Sequence, residues 1–139
     1  MASEIEIIFS GYFAAWNAHD PQKVASFFTD DCVFEDMAFG VVMHGKDEVQ
    51  EFVATTLAAY PDFAMKLTFG FGTGHCFASE WVMTGTHTGN MTGAPATGRS
   101  FSVRGASITE FQDGKMKRHT DYWSLSLLLQ QLRLPGGNL

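Results

Sequence analysis

Charge is scarce in this 139-residue chain: Asp, Glu, Lys and Arg together make up 17%, below the ~25% of ordinary soluble domains. Nine basic residues stand against fifteen acidic ones, a net charge of −6. That balance argues against a non-specific binder of phosphate backbones, which needs a surplus of cations. Cysteine is nearly absent. Cys32 and Cys76 form no C-x-x-C pair and read as two half-buried thiols in a reducing compartment, with a bond between them left open by sequence alone. No window supplies the ~18 uncharged apolar residues of a membrane span. The opening stretch carries Glu4 and Glu6 without a basic run, so it does not read as a signal peptide. The expected compartment is the cytoplasm.

What the chain has in quantity is apolar surface. Apolar residues make up 45%, and there are 13 Phe, 3 Trp, 3 Tyr and 7 Met, which excludes intrinsic disorder. Ile5, Ile8, Phe9, Tyr12, Phe13 and Trp16 recur at helical spacing and predict a first helix of about four turns. Asp20-Pro21 reads as an N-cap followed by proline at the first helical position. The short second helix is expected to bury Val24, Phe27 and Phe28 and to end near Thr29-Asp30-Asp31. Cys32–Met37 and Phe39–His44 read as strands, and Gly45 opens a third helix with a stripe of Val49, Phe52, Val53, Leu57 and Tyr60. Phe63–Gly72, Cys76–His87, Phe101–Phe111 and Lys115–Trp123 are strand-like. Gly72-Thr73-Gly74 and Asp113-Gly114 are hairpin-type turns, and Thr88–Gly98 is a longer loop. Leu125–Leu134 reads as a short closing helix. Helices followed by a run of antiparallel strands make an α+β domain with the helices on one face of a curved sheet. No repeat or linker interrupts it, so residues 1–139 read as one domain. The long strands leave one sheet face partly uncovered, which predicts a homodimer, or a tetramer, built sheet against sheet.

Several local motifs recur in a telling order: Trp16-Asn17-Ala18-His19-Asp20, His44-Gly45-Lys46-Asp47-Glu48-Val49, Tyr60-Pro61-Asp62, Gly85-Thr86-His87-Thr88-Gly89, Ala96-Thr97-Gly98-Arg99, Asp113-Gly114-Lys115 and Leu129-Gln130-Gln131-Leu132. In that order and spacing the chain resembles the SnoaL-like polyketide cyclases of the nuclear transport factor 2-like superfamily, from about Ile5 to Leu134. The resemblance implies a cone-shaped α+β barrel, a bent sheet wrapped around the first helix with a deep apolar pocket. It also implies intramolecular aldol condensation of an apolar, polyketide-like substrate with no cofactor, driven by a carboxylate on the last long strand. The matching stretch here, Arg118–Trp123, has Asp121 as its only carboxylate.

Alternation places His119, Asp121 and Trp123 on one face of that strand. A carboxylate in an apolar pocket suits proton abstraction next to a carbonyl, because desolvation raises its pKa toward working pH. An adjacent imidazole can orient it or donate to an enolate oxygen. Asp121 and His119 are therefore the candidate catalytic pair. Phe13, Trp16, Phe34, Asp36, Trp81, Met83, Arg104 and Trp123 are candidate pocket residues. Arg104, flanked by Val103 and Gly105, also raises an alternative on this fold: an Asp–Arg–Asp arrangement of the limonene epoxide hydrolase type, built from Asp36, Arg104 and Asp121. A second alternative is a non-catalytic module for small-ligand binding or oligomer formation. The five histidines, at 19, 44, 75, 87 and 119, show no ligand spacing, and no metal is expected. His19 and His87 lie in turns and read as structural.

Overall fold

The computed structural model describes residues 3–91 and 93–137; Thr92, within the Thr88–Gly98 loop, lies outside the described residues. Helix α1 (Glu4–Asn17) begins with a capping box. The Ser3 hydroxyl accepts from Glu6 N–H, and the Glu6 carboxylate accepts from Ser3 N–H, which satisfies two donors that a helix start leaves orphaned. Its inward stripe is Phe9, Tyr12, Phe13, Ala15 and Trp16. Past its end the chain turns at His19, in the left-handed region at φ 57°. The Asn17 side chain bonds both the N–H and the C=O of Met65, and the His19 ring bonds Phe63 O at 2.7 Å. The motif that closes α1 is thus a clamp on the strand that follows Phe63.

Helix α2 (Pro21–Ala25) starts where expected, with the Asp20 carboxylate accepting from Lys23 N–H. It ends sooner than the sequence suggests. The chain is already extended at Phe28, and β1 runs Phe28–Asp36. The reason is tertiary. Phe27 O accepts from Met116 N–H, and Phe28 sits opposite Met116, so pairing with a strand far along the chain overrides local helical spacing. Phe27 is accordingly only half-buried. Strand β2 (Val41–His44), helix α3 (Gly45–Ala59), strands β3 (Ala64–Thr73), β4 (Cys76–Thr86), β5 (Ser100–Gln112) and β6 (Lys115–Trp123), and helix α4 (Leu125–Leu132) complete the fold. At Asp113-Gly114 both residues have positive φ, as a two-residue type I′ hairpin between β5 and β6 requires.

The six strands lie in the order β2-β1-β6-β5-β4-β3, antiparallel throughout except for β1 beside β6. The sheet does not close into the expected barrel: β2 and β3 remain its two edges. Helix α1 packs on β3, and α3 packs on β1 and β2, so helices fill the space that further strand pairing would need. The core lies between them and the sheet's inner face. Helix α4 crosses back over β5, capped by Ser124 and tied by Gln131, whose side chain bonds both the N–H and the C=O of Ser102. It buries Leu128 and Leu132. No helix among the described residues is long and apolar enough to cross a membrane. Cys32 is buried, Cys76 is exposed, and both are free thiols.

The outer face of the sheet carries apolar side chains that no helix covers. Phe69, Phe71, Ile108 and Tyr122 are each about half exposed or more, on strands β3, β5 and β6. We propose that this face pairs with a second copy of the chain, burying at least ~1,000 Å². Sedimentation at micromolar concentration should return twice the chain mass, and Tyr122→Glu should return the single-chain mass. A parent protein that sediments as one chain contradicts the assembly.

Candidate active site

Strands β1 and β6 run parallel with Asp36 directly opposite Asp121. Both side chains reach one apolar chamber, whose walls include Trp16, Trp81, Met83 and Trp123. The inner end is narrow, about 40 Å³. It shares Phe39, Phe52, Thr56 and Tyr60 with an outer chamber of about 440 Å³, rimmed by Met91 and by Leu125 and Leu129 of α4. A size of this order, with few and convergent polar groups, is typical of a small-molecule site.

Asp121 is held by an ordered polar network. Ser107 donates its hydroxyl to Oδ1 at 2.6 Å, and His119 Nε2 lies 2.8 Å from the same oxygen. Because a carboxylate only accepts, Nε2 carries the proton. Nδ1 lies 2.8 Å from the Thr109 hydroxyl, so both ring nitrogens are engaged. Trp81 Nε1–H donates to Ser107 at 2.8 Å. Trp81 can lie there because residue 105 is glycine: a Cβ at that position would fall 2.3 Å from the indole ring. Oδ2 of Asp121 has no protein partner among the described residues, and the side chain is 13% exposed.

Asp36 is the more deeply buried of the two, at 3% exposure. Its Oδ1 accepts from Phe39 N–H at 2.9 Å and its Oδ2 from Trp123 Nε1–H at 3.0 Å. Burial pushes its pKa up to about 6; the two donors pull it down and the Asp121 charge adds to the rise. A carboxyl group poised there exchanges protons near neutral pH.

The sequence placed Trp16, Asp36, Trp81, Met83 and Trp123 in the pocket, and they line it. Phe13 and Phe34 do not. Phe13 packs on Phe9 and Tyr12 within the core, and Phe34 backs the His119 ring at 4.8 Å. His119 itself is walled in by Phe9, Tyr12, Phe28 and Phe34. It therefore positions Asp121 from behind and does not reach the chamber. Arg104 departs furthest from expectation. It is exposed on the outer face, opposite Val82, while its neighbour Val103 is buried. The strict alternation of β5 from Phe101 onward forces that orientation, and the Asp36–Arg104–Asp121 arrangement does not form. Ser107 and Thr109 were missed. The signal was their parity: they occupy inward positions of β5, in line with Phe101, Val103 and Phe111, where hydroxyls need a partner. His19 and His87 are structural as expected, His87 through Thr97. No group of three or more potential metal ligands occurs among the described residues.

The raised Asp36 pKa carries a stability consequence. Below pH ~4 the group is neutral in both folded and unfolded chains. Between pH ~4 and ~6 only the unfolded chain ionises freely, and above ~6 the folded chain must carry the buried charge. Folding stability should therefore fall across that window, by about 3 kcal/mol for a shift of this size. Urea unfolding at pH 4 and pH 7 should show the fall in the parent and its loss in Asp36→Asn; equal slopes in the two proteins contradict the buried-acid reading.

Comparison with known proteins bears on this site. The model of the SnoaL-like polyketide cyclase family matches residues 6–132. No curated protein matches the chain. A solved Catenulispora acidiphila protein with a ketosteroid isomerase-like fold, in complex with trimethylamine, is 26% identical. The match covers 95% of this chain and 96% of that one, at a TM-score of 0.81. AclR, a candidate hydroxylase from Streptomyces galilaeus, is also 26% identical, over 95% of this chain and 83% of that one, with a TM-score of 0.82. IdmH, a candidate polyketide cyclase from Streptomyces antibioticus, shares the fold at 22% identity, over 95% of this chain and 100% of that one, with a TM-score of 0.78. With nearly its whole length matched by the family model, the chain belongs to the SnoaL-like polyketide cyclase family.

Proposed function

We propose that the protein is a cofactor-independent enzyme that closes a ring by carboxylate acid/base catalysis on an apolar carbonyl substrate. The observation that carries this reading is the pair of carboxylates, Asp36 and Asp121, side by side at the inner end of a largely apolar pocket. Burial first, and the neighbouring Asp121 charge after it, push the Asp36 carboxyl up to about 6, which suits it to give a proton. Asp121, with Ser107 and His119 holding one of its oxygens, is the base. Its unpartnered Oδ2 takes the proton from a carbon next to a carbonyl. The resulting enolate carbon attacks a second carbonyl of the same molecule, forming the C–C bond. The alkoxide oxygen then takes the proton of Asp36, and solvent exchange returns both carboxyl groups to their starting states. His119 and Thr109 act by fixing the orientation of Asp121. Membership of the SnoaL-like family supports this chemistry, as does the likeness to IdmH, itself described as a candidate cyclase. Epoxide hydrolysis of the Asp–Arg–Asp kind would need Arg104 between the two carboxylates, and Arg104 faces the other side of the sheet.

The first step can be followed without the natural substrate. A bicyclic ketone such as 1-tetralone should exchange its α-protons for deuterium in heavy water faster with the protein than in buffer alone. Asp121→Asn should lower that rate by ~10²–10⁴, with ketone binding little changed. His119→Gln should lower it less, because Ser107 still holds the carboxylate. Exchange at the buffer rate in the parent, or at full rate in Asp121→Asn, would favour a ligand-binding module instead.

A further inference from the structure

The two chambers of the pocket differ about tenfold in size. The inner one, where Asp36 and Asp121 meet, measures about 40 Å³, and the outer one about 440 Å³. An apolar cavity of roughly 150 Å³ holds one benzene ring. A ring therefore fits the outer chamber and not the inner one. The four residues common to both, Phe39, Phe52, Thr56 and Tyr60, mark the passage between them. Three of them belong to α3 and its C-terminal cap, and they are pinned. Phe52 packs on Phe34, the Thr56 hydroxyl donates to Phe52 O, and Tyr60 packs edge-on against Phe101. Phe39 alone comes from elsewhere, the partly exposed turn between β1 and β2.

Phe39 is held in the passage by the site itself. Its backbone N–H donates to Asp36 Oδ1 at 2.9 Å, and its ring meets Trp123 edge-on with centroids 5.0 Å apart. Trp123 is bound in turn through Nε1–H to Asp36 Oδ2. Both holds on Phe39 thus end on one carboxyl group. The turn closes through Gly40 N–H, which donates to Asp36 O at 2.9 Å with φ at 69°, a conformation that glycine adopts at no steric cost. A wall fixed in this way discriminates by shape, because a group too wide for the passage meets a clash that it cannot relax.

We propose that Phe39 is the specificity-determining residue of the pocket, a partition that holds the ring body of a ligand in the outer chamber and admits only a chain end or a ring edge to Asp36 and Asp121. That a reacting group must reach those acids rests on the cyclase reading; the partition itself is tested by binding alone. Two methionines report the two chambers, since Met83 lines the inner one and Met91 the outer. The full chain, labelled with ¹³C at the methionine methyls, is titrated with naphthalene and with 2-ethylnaphthalene, the same rings with a two-carbon tail. In the parent, naphthalene should give nuclear Overhauser contacts to Met91 and none to Met83, while the tail methyl of 2-ethylnaphthalene should reach Met83. Phe39→Ala, a change in a partly exposed turn that leaves the core intact, should bring the naphthalene ring protons onto Met83. Val41→Ala trims the outer chamber and leaves the partition in place, so naphthalene should stay off Met83 there. Naphthalene against Met83 in the parent, no such contact in Phe39→Ala, an equal contact in Val41→Ala, or an ethyl tail that never reaches Met83 each overturns the proposal, as does a parent that binds neither probe. Neither hydrocarbon carries a carbonyl group, so these readouts do not involve proton abstraction. An intact partition without α-proton exchange in tetralone sinks the cyclase reading alone, and exchange in a parent that admits naphthalene to Met83 sinks the partition alone.

Discussion

The parallel pairing of β1 with β6 is the constraint on which the site depends. It joins strands that are some eighty residues apart in sequence, and its register sets Asp36 beside Asp121. Neighbouring strands lie only ~4.8 Å apart, so two carboxyl groups in that register share one environment. A slip of one residue would turn one of them to the outer face. Beside the two acids that register is held by Met37 N–H, which donates to Asp121 O; at the far end Phe27 O accepts from Met116 N–H across an irregularity between Phe28 and Val33.

Around that pair the surroundings of the two acids diverge. Asp121 has a hydroxyl and an imidazole behind it, each backed in turn by Trp81 or Thr109. Asp36 has a backbone N–H and an indole, and deeper burial. The aromatic residues have two separate tasks. Phe9, Tyr12, Phe28 and Phe34 immobilise the His119 ring. Trp16, Trp81 and Trp123 line the chamber, and the indole N–H groups of Trp81 and Trp123 hold Ser107 and Asp36. Holding Asp36 in apolar surroundings opposes its ionisation and so weakens the fold above pH ~6, while the same burial tunes it for proton exchange.

Much of this was legible in the sequence, and the reasons are particular. The four strands from Phe63 to Trp123 were readable because alternation and turn residues coincide there, as at Asp113-Gly114. The motifs that pointed to the family turn out to be clamps. Asn17 and His19 grip β3; Asp62 accepts from both the backbone N–H and the hydroxyl of Thr86; and His87 holds the Thr97 end of the long loop. They report the fold, and only through it the chemistry. Asp121 and His119 were found because they sit on one strand, where parity is a local property. Asp36 was assigned to the pocket, and to one site with Asp121 only through Arg104, because their direct adjacency lives in a register between distant strands. The boundary between α2 and β1 failed for the same reason: Phe27 and Phe28 have helical spacing but pair with β6. Arg104 was misplaced for a different one, since its outward parity was already fixed by Phe101 and Val103.

The central claim is that Asp36 is a buried acid whose pKa is raised by its apolar surroundings and by the charge of Asp121 beside it. The most direct measurement is the pH titration of the Asp36 carboxyl carbon by ¹³C NMR, in the parent and in Asp121→Asn. The account predicts a midpoint near 6 in the parent and a lower one once the neighbouring charge is removed. A midpoint in the ordinary carboxylate range near 4, unmoved by Asp121→Asn, would contradict it.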